Sequence, residues 1–160
     1  MLAVSKTDGS VVWQAKVLWQ PNLYDGAAYS SPNKFSAGGV GQYVTLAQRG
    51  VIAGRANDGK FCWRYDHPAN GVANIPTCMT YRQTVFAASD YGSGGGLVEV
   101  QQTVDGYKAK ELHFTKQMQN WHGGVILLDG YLYGADDNQL TCLEHKTGNV
   151  KWSDSMCGKC

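Results

Sequence analysis

The stretch YLYGADDNQLTCLEHKTGNVKW, residues 131–152, decides the fold. It reads as three short strands separated by turn-forming residues, at 131–135, 139–144 and 149–152. Apolar residues alternate with small or polar ones in the strands, and Asp, Asn and Gly fill the turns, as in antiparallel hairpins. Just upstream, residues 125–128 and the turn Asp129–Gly130 supply a fourth strand. Four strands in about 30 residues make one blade of a β-propeller.

The ending of this stretch occurs twice more in the chain. Residues 8–13 (DGSVVW), 58–63 (DGKFCW) and 147–152 (TGNVKW) each place a tryptophan four residues after a turn glycine. These tryptophans are 50 and 89 residues apart, and 89 is close to two repeats. Such a repeat predicts a propeller, because one twisted sheet has two apolar faces that it can bury only against copies of itself.

The repeat predicts an all-β fold, a partial β-propeller with three four-stranded antiparallel blades and half of a preceding blade. The single domain, 1–160, then divides into 1–14 as the end of a blade, 15–26 as a connector, 27–66, 73–115 and 121–153 as complete blades, and 154–160 as the start of the next connector. The inner strands of the first two complete blades are expected at 27–35 and 74–81, at the edge that faces the central channel, where a proline is tolerated. Because the chain starts in the middle of a blade, we expect it to be a fragment of a longer protein.

The second complete blade lacks the repeated tryptophan. The position four residues after its turn glycine, Gly106, holds Lys110. The last strand of this blade is longer than the others, so we expect Leu112 or Phe114 to take the place of the tryptophan.

Composition and charge exclude several classes of function. The chain is 43% hydrophobic and 17% charged, with a formal net charge of +1, so charge gives no reason to expect nucleic-acid binding. No run approaches the roughly 20 apolar residues of a membrane span. No signal peptide follows Met1, because a strand pattern begins at once.

Five cysteines are present, an odd number that does not form a tidy disulfide framework. Cys62 and Cys142 alternate with apolar residues in strands and read as small core side chains. Cys157 and Cys160 form one CxxC pair, which supplies only half of a zinc site, and no thioredoxin-like pattern surrounds it. We therefore interpret this pair as part of the next connector, with a metal or redox role as the alternative.

Several motifs resemble one family of repeats. The ending D/T-G-x-x-x-W resembles the pyrroloquinoline-quinone-type (PQQ-like) β-propeller repeat of quinoprotein alcohol dehydrogenases and of bacterial outer-membrane assembly lipoproteins. Four stretches look most like secreted bacterial PQQ-like repeat proteins: 28–32 (AYSSP), 58–66 (DGKFCWRYD), 73–77 (ANIPT) and 122–134 (HGGVILLDGYLYG). The resemblance covers nearly the whole chain.

The resemblance implies roles for particular residues and a location. In this family the repeat tryptophans pack between blades, which would make Trp13, Trp63 and Trp152 structural docking residues. The related dehydrogenases bind the quinone with a calcium ion, an aspartate base and a disulfide between adjacent cysteines, and no adjacent cysteine pair is present here. The resemblance therefore implies a periplasmic or extracellular protein for which no cofactor is expected.

A ligand-binding site is expected where the inner strands and blade connectors meet the channel, because binding residues gather on loops held by a rigid scaffold. Three segments reach that region: 24–31, 70–77 and 117–124. Their candidate ligand-binding residues are Tyr29, Asn74, Asn120, Trp121 and His122, whose amide, indole and imidazole groups suit a polar ligand. His122 is the sharpest candidate, and its alternative role is a hydrogen bond between loops. No nucleophile elbow, no partnered Ser-His-Asp arrangement and no metal-ligand spacing of histidines is visible in the sequence.

The sequence thus favours a non-catalytic binding or scaffold module whose partner is a protein or a polar small molecule such as a carbohydrate. Two alternatives remain: a fragment of a PQQ- and calcium-dependent alcohol dehydrogenase, and a scaffold in outer-membrane protein assembly. Fold resemblance alone does not decide among them. A propeller arc also leaves two apolar sheet faces open, so we expect them to pack against the rest of the ring or against a second copy.

Overall fold

A computed structural model describes residues 1–21 and 23–155 of the chain. Those residues form sixteen β-strands and no α-helix. The strands are β1 Leu2–Val4, β2 Val11–Gln14, β3 Leu18–Gln20, β4 Leu23–Tyr24, β5 Asn33–Ala37, β6 Val40–Ala47, β7 Gly50–Arg55, β8 Phe61–Tyr65, β9 Met79–Tyr81, β10 Thr84–Ser89, β11 Gly94–Thr103, β12 Gly106–Thr115, β13 Val125–Leu128, β14 Tyr131–Asp136, β15 Gln139–Glu144 and β16 Val150–Asp154.

The strands assemble into three antiparallel four-stranded sheets and two hairpins. The first sheet is β5–β8, the second β9–β12 and the third β13–β16, each in chain order, while β1–β2 and β3–β4 form two-stranded sheets. The inner strands of successive sheets lie side by side, β5 by β9 and β9 by β13. No sheet closes on itself in the described part of the chain, and the predicted all-β partial propeller is confirmed.

The sheets bury their apolar side chains against each other. One cluster joins the first and second sheets and consists of Phe35, Ala37, Val44, Leu46, Val51, Ala53, Trp63, Cys78, Val85, Ala87, Val98 and Val100. A second cluster joins the second and third sheets and consists of Phe86, Ala88, Leu97, Met118, Leu132 and Leu143. The second sheet therefore has a packed core on both faces, because neighbouring residues of a strand point to opposite faces.

A β-bulge marks the same position in the last hairpin of each four-stranded sheet and in the β1–β2 hairpin. The residue just C-terminal to the skipped position is an aromatic ring, and the four pairs are Trp13 opposite Ala3, Trp63 opposite Ala53, His113 opposite Leu97 and Trp152 opposite Cys142. His113 thus occupies the tryptophan position of the second sheet, and the expectation of Leu112 or Phe114 is wrong. Leu112 is itself the bulged residue, and the hairpin is longer, so counting from Gly106 gave the wrong position.

The inner strands begin later than the sequence predicts. The first covers Asn33–Ala37 in place of 27–35, and the second covers Met79–Tyr81 in place of 74–81. The residues before them bond to other loops instead of to a strand: the N–H of Tyr29, for example, donates to the carbonyl of Asn74 at 3.0 Å. Pro32 and Pro76 therefore precede the strands and do not interrupt a ladder.

The strand cysteines lie in the packed interior. Cys142 is buried, and Cys62 is half-buried against the cluster between the first and second sheets. Cys78 is also buried, and burial raises the pKa of its thiol to about 12, so it stays protonated and inert. Cys157 and Cys160 lie outside the described residues.

Candidate functional site on the connector face

One end of the molecule carries all five predicted ligand-binding residues. We call this end the connector face. It consists of the connectors 25–32, 66–78 and 116–124 and the turns 48–49, 90–93 and 137–138 between the second and third strands of each sheet. Every connector on this face bonds to one of these turns, as the following contacts show.

The first two connectors are joined through Asn74. Its amide nitrogen donates to the carbonyls of Gln48 at 2.9 Å and Asn70 at 3.1 Å, and its amide oxygen accepts the N–H of Asn70 at 2.9 Å. Asn70 in turn donates to the carbonyl of Asp90 in the second sheet at 3.3 Å. A buried amide with this many backbone partners fixes the loops, because leaving any of the groups unpaired would be costly.

Asn120 fixes the third connector in the same way. Its amide nitrogen donates to the carbonyls of Gly124 at 2.8 Å and Ala135 at 3.4 Å, and its oxygen accepts the N–H of Gly124 at 3.0 Å. The neighbouring Gln119 accepts the N–H of Gly92, also at 3.0 Å. Asn74 and Asn120 are both buried, so their amides shape the connector face, and the ligand-binding role predicted for them stays untested.

The hydrogen-bonded connectors and turns carry several aromatic side chains. Tyr29 is 73% exposed and Val72 is 69% exposed. Trp121 lies with its ring centroid 4.3 Å from that of His122 and 6.5 Å from that of Tyr91, which approaches edge to face. The structure therefore brings Trp121 and His122 together and adds Tyr91, a residue of the glycine-rich tip that the sequence did not single out.

A polar cleft lies beside Tyr29. It has a volume of about 310 Å³ and is lined by Ala27, Ala28, Tyr29, Gln48, Asn70, Gly71, Val72, Ala73 and Asn74. The side-chain amides of Asn70 and Asn74, which line it, already donate to the carbonyls of Ala73 and Gln48. The cleft can accept a side chain or a short loop of a partner, with Tyr29 and Val72 at its rim.

Carboxylates at the edge of the connector face bond to backbone N–H groups and to an arginine. The side chain of Asp25 is buried, accepts the N–H of Arg49 at 3.1 Å and pairs with the guanidinium of Arg64 at 3.2 Å. On the third sheet, burial raises the pKa of Asp136, and the nearby carboxylates of Asp137 and Asp90 act in the same direction. The N–H of Gln119 donates to Asp136 at 2.9 Å and opposes this effect.

The three tryptophans predicted to dock blades lie in different environments. Trp63 is 2% exposed, within the cluster between the first and second sheets, and its indole N–H donates to Gln42 at 2.8 Å. Trp13 is half-buried and donates to the carbonyl of Ala56 in the first sheet at 3.0 Å. Trp152 is 44% exposed on the third sheet, beside Tyr133. Their docking role remains a prediction, and Trp63 has the most extensive packing.

A contact between the last strands of the first two sheets escaped the sequence analysis. The hydroxyl of Tyr65 donates to Oε2 of Glu111 at 2.6 Å, and Nδ1 of His67 lies 2.8 Å from the same oxygen. The His67 ring also stacks on the ring of Phe114. Desolvation acts to raise the pKa of Glu111, but the bonds to Tyr65 and His67 outweigh it and hold that pKa below its usual range. The unusual length of β12 was the sequence feature that could have predicted this contact, because β12 contains Glu111, which bonds to the first sheet.

The described residues do not fit the quinone and calcium of the related dehydrogenases. Residues 1–21 and 23–155 contain no group of three or more His, Cys, Asp or Glu side chains placed to hold a metal ion. The sequence contains no adjacent cysteines, and the connector-face amides Asn74 and Asn120 are already bonded to backbone. No catalytic step through that cofactor follows from this arrangement.

Comparison with known proteins identifies the family. A family model described as outer membrane protein assembly factor BamB matches residues 1–154, and the match indicates an extracytoplasmic or outer-membrane-associated protein. A search of curated proteins finds no relative that matches the chain. Across the described residues, no helix is long and apolar enough to cross a membrane. With its three four-stranded sheets and its repeated ring position, the chain belongs to the PQQ-like repeat family described as outer membrane protein assembly factor BamB.

Proposed function

We propose that this chain is a non-catalytic scaffold module of outer membrane protein assembly, acting in the periplasm, whose connector face binds a protein partner. The family description supports the process. The observation that carries the choice of surface is a set of aromatic side chains, the exposed Tyr29 and Tyr91 and the half-buried Trp121, on connectors and a turn that hydrogen bonds hold in place.

Hydrogen bonds link Tyr29 on the first connector, through the second connector, to the turn that holds Tyr91, and Gly92 of that turn donates to Gln119 on the third connector. Tyr29 bonds to Asn74, Asn74 to Asn70, and Asn70 to Asp90, the neighbour of Tyr91. A surface that is already ordered loses little conformational entropy on binding, so more of the contact energy appears as affinity. Tyrosine and tryptophan are also the side chains that most often dominate protein interfaces.

A protein partner fits this face better than a carbohydrate. Carbohydrate recognition needs amide and hydroxyl groups that are free to bond the sugar, and the amides of Asn74 and Asn120 already have backbone partners. Exposed Tyr29 and Val72 in the lining of the cleft suit an inserted loop of a protein. The buried amides therefore weigh against the small-ligand alternative.

Site-directed photo-crosslinking in the native cell tests the proposal. A photoreactive phenylalanine analogue replaces Tyr29, Tyr91 or Trp121 in separate variants. The matched control carries it at Val104, a fully exposed residue in the turn between β11 and β12, at the opposite end of the second sheet. We expect the three connector-face variants, and not the control, to crosslink to a component of the outer membrane assembly machinery.

Two results would overturn the proposal. Crosslinking from Val104 equal to that from Tyr29 would show that the connector face is not special. Dye-linked alcohol oxidation by the purified protein with pyrroloquinoline quinone and calcium would show an enzyme. A Tyr29→Ala, Trp121→Ala double variant should retain its thermal unfolding midpoint within a few degrees while losing most of the crosslink formed from Tyr91, since its changes lie in partly exposed side chains.

A further inference from the structure

Three turns of the chain have the same backbone geometry. Each precedes the last strand of a sheet, and their glycines are Gly9, Gly59 and Gly148, with φ of +74°, +71° and +73°. In each turn the glycine N–H donates to the carbonyl four residues earlier, at 2.8 to 2.9 Å. Because their φ values and hydrogen bonds match, the three turns present the same backbone surface to a neighbouring sheet.

Two of these turns are covered by a ring from the preceding sheet. A Cβ added to Gly59 would lie 2.5 Å from the ring of Trp13, and one added to Gly148 would lie 2.5 Å from the ring of His113. Each ring also bonds to the carbonyl three residues before the glycine: Trp13 Nε1 lies 3.0 Å from the Ala56 oxygen, and His113 Nε2 lies 2.9 Å from the His145 oxygen. A ring docked on a turn glycine therefore joins the β1–β2 hairpin to the first sheet and the second sheet to the third.

The third turn and the third-sheet ring lack this joint. In the described part of the chain, no heavy atom outside its immediate chain neighbours lies within 4 Å of a Cβ built on Gly9. Trp152, the ring at the equivalent bulge of the third sheet, is 44% exposed. One chain thus carries both an uncovered socket, Gly9 with the Lys6 carbonyl, and an exposed ring of the kind that fills such sockets.

The surfaces around the ring and the socket are also apolar. Ile126 and Tyr133 lie in register with Trp152 across the third sheet, and Ile126 is 69% exposed. Around the socket, Val4 and Val11 pair across the β1–β2 hairpin and are exposed. Val4 occupies the place that Leu143 holds in the third sheet, where Leu143 is fully buried against the second sheet.

We propose that Trp152 of one copy docks on Gly9 of a second copy, with its indole N–H donating to the Lys6 carbonyl. The third sheet of the first copy then packs on the β1–β2 hairpin of the second, and this joint repeats the two joints inside the chain. Two such contacts between two copies close a head-to-tail ring of six four-stranded sheets and two β1–β2 hairpins, within the roughly 4 to 8 blades of known propellers. The surface is separate from the connector face, so this inference does not rest on the proposed function.

Sedimentation of the full chain over a range of concentrations tests the association. We expect the wild type to form a dimer, and Trp152→Ala to weaken it at least about tenfold, since a buried interface tryptophan commonly contributes more than that factor. Gly9→Asn should weaken it as much, because asparagine tolerates the positive φ and its side chain fills the socket. Gly39→Asn is the matched control, since Gly39 has φ of +77° and open space but lies outside the proposed contact.

Mixing the two variants distinguishes this joint from any other contact. Trp152→Ala keeps the socket, and Gly9→Asn keeps the ring, so an equimolar mixture regains one joint and should form dimers that neither variant forms alone. A photoreactive analogue at position 152 of an isotope-labelled copy should crosslink to residues 5–10 of an unlabelled copy. A wild type that stays monomeric at high micromolar concentration, or a dimer that both variants leave unchanged, would overturn the proposal.

Discussion

At the scale of single residues, two of the four positions beside a bulge hold a flat ring whose N–H bonds to the neighbouring sheet, and that ring need not be a tryptophan. The side chains of Trp13 and His113 differ in volume and polarity. Each nevertheless covers a turn glycine and bonds to the carbonyl three residues before that glycine. Glycine is needed beneath the ring both for its positive φ and because a Cβ would occupy the space of the ring. The two requirements can be separated by mutation.

Alanine at the three turn glycines should separate backbone strain from docking. Each substitution pays about 1 to 2 kcal/mol for positive φ. Gly59→Ala and Gly148→Ala should cost about 1 to 3 kcal/mol more than Gly9→Ala, because only at these two turns does the new Cβ meet a ring. Urea unfolding in a Trp152→Ala background, which removes any association through that ring, measures the difference. Equal destabilisation at all three turns would contradict docking on the glycine.

His145 should make the protein sensitive to mild acid. It is 7% exposed beside Thr84 and Tyr81, and burial, followed by the charges of His113 and Lys146, lowers its pKa below 6.5. A lowered folded-state pKa means that the unfolded chain binds the proton more tightly, so stability is complete above pH 6.5 and falls as the pH drops toward the folded value.

Unfolding measured by urea at pH 7.5 and at pH 5 tests this expectation. The loss of stability in acid should be smaller in His145→Gln, which keeps a polar side chain but has no proton to gain. His122→Gln, a change at an exposed histidine, should leave the loss unchanged. If the acid sensitivity persists fully in His145→Gln, another group is responsible.

At the scale of structural elements, the strands and turns followed from the sequence, whereas the connectors did not. Gly, Asp and Asn at hairpin turns mark strand ends by local chemistry, so most four-stranded blades could be drawn from pattern alone. The segments before the first two inner strands depend on Asn74, which bonds to Gln48, 26 residues away, and whose carbonyl accepts the N–H of Tyr29. Such distant bonds leave no local pattern, and for this reason the first two inner strands were predicted too early, whereas the third lies at 125–128 as predicted.

Part of the candidate site could likewise be predicted from the sequence, and part could not. Trp121 and His122 were found because an aromatic and an imidazole stand just before an inner strand. Tyr91 was missed because it lies in a glycine-rich tip that reads as a flexible turn, although it has φ of +59° and faces Trp121. The contact of Tyr65 and His67 with Glu111 was missed because it depends on the reach of the long β12 strand.

Asn120→Ala should destabilise the protein by about 1 to 3 kcal/mol, because it leaves the part-buried N–H and carbonyl of Gly124 and the buried carbonyl of Ala135 without this partner. Asn138→Ala, in the exposed turn between β14 and β15, should change the stability by less than about 0.5 kcal/mol. Chemical denaturation of the two variants makes the comparison. If Asn120→Ala unfolds like the wild type but loses partner binding, the amide serves the ligand and does not serve the fold.

At the scale of the whole molecule, each sheet is stabilised only by its neighbours. The second sheet packs against the first through one cluster and against the third through another, so both of its faces are covered. Within residues 1–21 and 23–155, the third sheet packs by one face against the second, and the β1–β2 hairpin lies beside the first sheet. In an array of this kind, stability is a sum of single-sheet terms and nearest-neighbour terms, so the middle should be the most stable part.

Hydrogen exchange followed by mass spectrometry should therefore show a gradient along the array. Amides of β10, whose side chains alternate between the two clusters, should exchange slowest, and those of β1, β2 and β16 should exchange fastest, because local opening there breaks fewer packed contacts. If Trp152 docks on Gly9 of a second copy, raising the protein concentration should slow exchange in β1, β2 and β16 while leaving β10 almost unchanged. In Trp152→Ala that concentration dependence should disappear, whereas the gradient itself should remain. Equal protection of β10 and the β1–β2 hairpin at low concentration would contradict the nearest-neighbour account, because it would require the chain to open only as one unit.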